Sequence, residues 1–174
     1  VISFANQLAI DCGVHPKMSV RDTAALLLEE DPEVAPAATI TNRTVVETAP
    51  DGRQIIVTDS IAFGTKEDID RNVLVTAGHT GRSAVPYLRR CRPWGFICSD
   101  GGRGLDDSGI VGLSIVEVDG IAGATVDARL AQMGSGLSHY HDGIISAANT
   151  WALDRGVEIG MTAVLAAKLL LTTK

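Results

Sequence analysis

Asn72–Asp107, NVLVTAGHTGRSAVPYLRRCRPWGFICSDGGRGLDD, decides how this chain is read. An apolar run, Val73–Ala77, meets a glycine-containing turn. A helical stretch, Gly81–Arg90, follows, with Pro86 near its start. A second apolar run, Trp94–Cys98, then meets a turn rich in glycine and aspartate. Strand, turn, helix and strand in this order form a parallel unit, because a parallel pair needs a crossover connection. Both turns leave the carboxyl ends of neighbouring strands, the edge where open α/β sheets place their ligands.

The pattern continues in both directions. Upstream, Thr39–Glu47 is rich in β-branched residues and is joined by Pro50-Asp51-Gly52 to the apolar run Ile55-Ile56-Val57. A turn signal between two β-rich runs predicts a β-hairpin. Downstream, helices are expected at Asp106–Val116 and Ala128–Met133, with a strand between them at Ile121–Val126. Ile144, Ile145, Ala148, Trp151 and Ala152 recur at helical spacing and predict a long helix over Asp142–Arg155. A very apolar helix over Gly160–Thr172 closes the chain. At the other end, VISFANQLAI reads as a short helix and Met18–Glu30 as a longer one, ended by the two prolines of DPEVAPAA. The expectation is one α/β domain over residues 1–174, three-layered, with a mostly parallel sheet, helices on both faces and an N-terminal β-hairpin.

Composition narrows the classes. With 4% aromatic residues, the core must be made of Val, Ile, Leu and Ala, as in buried parallel sheets. A net charge of −6 opposes nucleic-acid binding, which needs a basic surface. The longest apolar run is interrupted by Lys168 and falls short of the roughly 20 residues that cross a bilayer. The N-terminal stretch lacks a basic leader. Cys12, Cys91 and Cys98 are odd in number and have no metal-ligand spacing, which fits a reduced, cytoplasmic setting. The apolar last helix suits either the core or a homo-oligomer contact.

The two turns hold the candidate chemistry. In Gly78-His79-Thr80-Gly81-Arg82-Ser83, the glycines permit a sharp turn and the free amides can receive an oxyanion. His79 is the candidate general base. Thr80 and Ser83 offer hydroxyls to a ligand. The alternative for His79 is a helix cap or a solvent-facing side chain. In the second turn, Asp100 is placed to orient His79, and Arg103 to hold a carboxylate. Gly101 and Gly102 allow close approach of the backbone. Asp106 and Asp107 read as helix-start residues. Cys98 reads as a small buried residue rather than a nucleophile. Ser60, at the end of the preceding strand, is a candidate nucleophile or a strand-end hydrogen-bonding group. His139, in a polar loop before a helix, is a candidate substrate ligand. His139, His141 and Asp142 could also hold a metal, but no further His or Cys joins them, and neither metal nor cofactor is expected.

The stretch AGHTG…SDGGRGLDDSGI resembles a group of small bacterial α/β proteins of unassigned function. The similarity covers roughly Val57–Asp127. His79, Gly81, Asp100, Gly104, Asp106 and Asp107 match its pattern, while Thr80 and Cys98 depart from it. The resemblance implies one shared pocket and supplies no substrate.

These residues lead to the expectation of a small-molecule hydrolase acting on an amide-like C–N bond of a polar or anionic substrate. His79 would activate water or Ser60, and Asp100 would orient His79. An isomerase or lyase could use the same pair for proton transfer. A non-catalytic ligand-binding or assembly subunit is the reading from a different class.

Overall fold

The computed structural model describes residues 1–29 and 43–173. The chain divides into two compact units, Val1–Thr39 and Ile40–Lys174. In the first, α1 (Gln7–Asp11) is capped by Asn6, whose side chain accepts from the Ala9 amide. α2 (Val20–Glu29) begins where Ser19 Oγ accepts from the Asp22 amide. The expected break at DPEVAPAA and the expected strand residues Thr39–Asn42 lie outside the described residues.

The second unit is built on a six-stranded, mostly parallel sheet: β1 (Thr44–Thr48), β2 (Gln54–Thr58), β3 (Val73–His79), β4 (Gly95–Ser99), β5 (Ala122–Val126) and β6 (Ile145–Ala148). The strands lie side by side in chain order. β2 to β5 are parallel, and β1 and β6 pair antiparallel at the two ends. Crossovers contribute α3 (Val85–Cys91) and α4 (Gly112–Glu117). Later segments contribute α5 (Gly136–His141), α6 (Thr150–Asp154) and α7 (Ala163–Thr172).

Alternation along the strands makes two cores. Ile55, Val57, Val73, Val75, Ile97, Ala124 and Val126 pack with Tyr140, Ala152, Ala166 and Leu170. Ile56, Leu74, Phe96 and Cys98 pack with Val85, Leu88, Leu113 and Val116. The second core needs Gly123. A Cβ there would come within 2.3 Å of the Phe96 ring, so only glycine lets that ring lie over β5.

Several local expectations give way to tertiary pairing. The segment expected as one helix over Asp142–Arg155 is instead strand β6 followed by the short α6. Ile145 pairs with Val126, and Asn149 then caps α6 through the Ala152 amide. The helical spacing was real, but sheet pairing outweighed it. Ala128–Met133 forms turns rather than a helix. The helix expected over Asp106–Val116 starts only at Gly112. Asp106 and Asp107 lie before it at φ of 52° and 56°, with Asp107 ion-paired to Arg103.

Candidate active site at the carboxyl edge

The parallel strands β2 to β5 end at one edge, in Thr58, His79, Ser99 and Val126. His79 stands beside Ser99 in the β3–β4 register. Between Val75 and His79 the pairing slips, so β3 carries extra residues just before the histidine. Such a bulge re-aims a side chain at a strand end. The His79 ring is exposed, and its Nδ1 accepts a 2.9 Å hydrogen bond from the Gly81 amide. An amide can only donate, so the neutral ring carries its proton on Nε2. A Cβ on Gly81 would sit 2.7 Å from that Nδ1, which explains the glycine.

Asp100 is buried at the end of β4. Its Oδ1 accepts from the Gly102 amide at 2.8 Å and the Ala128 amide at 3.0 Å. The carboxylate therefore ties the β4 turn to the segment after β5. It has no hydrogen bond to His79. Gly101, the next residue, packs directly against His79, since a Cβ there would lie 2.9 Å from the His79 Cβ.

His139 lies on α5, which packs over β2 and β3. It is fully buried, an unusual place for an ionisable side chain. Its Nδ1 lies 2.9 Å from the Ser135 carbonyl and must donate to it, since a carbonyl only accepts. Nε2 then holds the lone pair, and it has no hydrogen-bond partner among the described residues. Burial pushes the imidazole below the ordinary histidine range, opposed by the Ser135 carbonyl and the nearby Asp100 charge. The two histidines are thus set in opposite tautomers by the backbone. Nε2 carries the proton on His79 and the lone pair on His139.

Of the remaining candidates, Gly81 alone hydrogen-bonds to either histidine among the described residues. Ser60 Oγ accepts from the Ala62 amide and caps a 3₁₀ turn, with no hydrogen bond to either histidine. Thr80 is buried, with both its amide and its hydroxyl donating to the Ser99 carbonyl. With the Thr80 amide bonded to Ser99 and the Gly81 amide to His79, two of the amides expected to receive an oxyanion are already engaged. Gly78 is half-buried and Ser83 exposed. Arg103 and Gly102 line a cavity of about 230 Å³ with Asp100, Asp127 and Arg129. Arg103 pairs with Asp107, and Arg129 with Asp127, whose carboxyl its guanidinium holds at about 2. Gly101, Gly102, Arg103, Gly104, Asp106 and Asp107 all take positive φ. A run of left-handed residues at a strand end is the kind of costly backbone that clusters at functional sites.

No group of three or more His, Cys, Asp or Glu side chains converges for a metal among the described residues. Ser99, whose hydroxyl accepts from the Gly101 amide and reaches the Met133 sulfur, was not singled out from sequence. Nor was Ala128, since a backbone amide leaves no side-chain signature.

Cys98 is fully buried on β4, and burial pushes its thiol up to about 11, with the Thr76 hydroxyl opposing. Burial likewise pushes Cys91 up to about 12. Both stay protonated at neutral pH, and the thiolate is the reactive form. Titration of the native protein with a thiol reagent at pH 7 should therefore modify Cys12 alone rapidly. The other two should react only after unfolding. Fast reaction of two or three thiols in the native protein would contradict this.

Comparison with protein-family models, curated proteins and solved structures finds no match to this chain.

Proposed function

We propose that the chain is a small-molecule hydrolase of amide-like C–N bonds, working at the carboxyl edge of the sheet. The observation that carries the reading is the opposed tautomers of His79 and His139, with Gly101 packed against the first and the Asp100 charge acting on the second. His139 Nε2 takes a proton from water as the oxygen attacks the carbonyl carbon. The His79 Nε2–H donates to the developing oxyanion, a role open to a neutral imidazole. The imidazolium at His139, stabilised by Asp100, then returns its proton to the leaving nitrogen as the C–N bond breaks. These roles differ from those expected from sequence, where His79 was the base. Because His139 is fully buried, its Nε2 must be uncovered before substrate reaches it. The scaffold is taken as three layers with a β1–β2 hairpin at one end, a reading supported by the two cores and the antiparallel β1–β2 pairing.

The test is turnover of a panel of small amides and cyclic amides by the purified chain. His139→Gln should cost about 10²–10⁴-fold in kcat. His79→Phe should cost about 10²–10³-fold. The His139 base is active when neutral, so the acid limb of the kcat/KM profile should fall below the ordinary histidine range. Asp100→Asn should move that limb lower still, because it removes a charge that favours the imidazolium. Full turnover by His139→Gln would sink the mechanism.

Complete burial of the base also suits proton transfer at carbon, where water must be kept out. That isomerase or lyase reading predicts deuterium entering substrate from solvent with no water consumed.

A further inference from the structure

The opposite edge of the sheet carries a second feature, independent of the histidine site. Trp94 immediately precedes β4 and Arg53 immediately precedes β2, so both lie at the amino edge of these parallel strands. Arg155 follows α6 and reaches the same indole. Its guanidinium carbon lies 4.4 Å from the Trp94 ring centre, and that of Arg53 lies 4.8 Å from it.

The charges around this indole do not balance. Arg53 is held by Asp51, with Nε 2.7 Å from Oδ2. Arg155 donates through Nη1 to the Trp94 carbonyl at 2.7 Å, and no carboxylate lies within ion-pair distance of it among the described residues. Among the described residues, two half-buried guanidiniums therefore meet at this indole and one of them, Arg53, has a carboxylate partner. Burial and the Arg53 charge both press the Arg155 guanidinium down. The Trp94 Nε1–H is buried with no acceptor among the described residues, although a buried indole N–H ordinarily finds one. Donors in excess of acceptors, and cations in excess of anions, meet here on a chain whose net charge is −6.

We propose that Arg53, Trp94 and Arg155 form a binding site for a small oxyanion, the phosphate or carboxylate group of a soluble metabolite. An oxyanion supplies the missing negative charge, and its paired oxygens match the planar fork of a guanidinium. The indole holds both forks in place through cation–π contact, which limits the ordering cost of binding.

The test uses the whole chain carrying Trp151→Phe, which leaves Trp94 as its one tryptophan. Inorganic phosphate and acetate are each titrated against sodium chloride of equal ionic strength, following Trp94 emission and thermal midpoint. The expected result is a saturable emission change with a rise in midpoint over the same concentrations. Arg155→Gln should abolish both, and Arg155→Lys should weaken binding roughly tenfold or more, because it keeps charge but loses the fork. A response to phosphate, or to acetate alone, supports the site and names its ligand chemistry. A response equal to that in chloride means general screening and overturns the proposal. So does an undiminished response in Arg155→Gln. If Arg155→Gln does not fold, Arg155→Lys and Arg53→Gln carry the same comparison, and unchanged binding in both overturns it.

Discussion

Arg43→Met should destabilise the second unit by about 3–5 kcal/mol, the usual consequence of stranding one partner of a buried ion pair. Asp68 is fully buried. Its two oxygens receive both Arg43 Nη groups at 2.9 Å, the Thr65 amide at 2.7 Å and Asn72 Nδ2 at 3.0 Å. Burial alone would push this carboxyl up, but Arg43, the Thr65 amide and Asn72 outweigh it and hold the carboxyl below its ordinary range. A lowered folded-state value means that this group's stabilisation is present above the unfolded value, near 3.8, and is lost as pH falls toward the folded one. Removing Arg43 reverses the sign. The Asp68 carboxyl then rises, and acid relieves the burial cost by protonating it. The difference between Arg43→Met and wild type in urea unfolding should therefore shrink from pH 7 toward pH 4. Arg43→Met with Asp68→Asn should recover part of the loss at pH 7. An equal difference at both pH values would show that packing of the arginine stem, not charge, is what was lost.

Asn149→Ala should cost about 3 kcal/mol. The side chain is buried and satisfies several backbone groups at once. Its Oδ1 accepts from the Gly123 amide at 3.0 Å and from the Ala152 amide at 3.1 Å, while Nδ2 donates to the Ile121 carbonyl at 2.8 Å. One residue thus caps α6 and pins the start of β5 to the end of β6. Losing the cap costs about 1 kcal/mol, and each buried group left unpaired about 1–3 kcal/mol. Asn149→Asp separates these parts, since a carboxylate keeps the acceptor and loses the donor. Asp should be intermediate above pH 5 if the cap dominates. Native-state hydrogen exchange should show the Gly123 amide opening in Asn149→Ala well before the β3 amides. Unchanged protection at Gly123 would refute the pinning role.

Asn149 also shows where legibility stopped. Ile144, Ile145, Ala148, Trp151 and Ala152 do have helical spacing, and Ser146–Asn149 contains no proline or glycine to break it. The strand forms because β5 offers an open antiparallel edge to Ile145–Ala148. That edge comes from residues about 20 positions earlier and leaves no trace in the local pattern. Asn149 followed by Thr150 is a cap signal hidden within the apparently continuous helical spacing. The strand-turn-helix-strand unit over Asn72–Asp107 was legible because its apolar runs and glycine turns are local.

The site divides in the same way. The placement of His79 and Asp100 at neighbouring strand ends follows from chain order and parallel pairing, and both were read from sequence. Their roles were not. Which nitrogen of His79 carries the proton depends on the Gly81 amide, and the partners of Asp100 are the Gly102 and Ala128 amides. His139 read as part of a polar loop before a helix, yet it is a fully buried helix residue, because α5 lies down over β2 and β3.

By itself, the sequence of Asn72–Asp107 determined a parallel αβ unit and the edge that carries its polar turns, since short continuous apolar runs and glycine turns act within a few residues. Only the tertiary structure decided the antiparallel close at β6, the burial of His139 and the tautomers of the two histidines. Each of these depends on which backbone amide or carbonyl arrives beside a side chain from elsewhere in the chain, and backbone groups are the same at every residue.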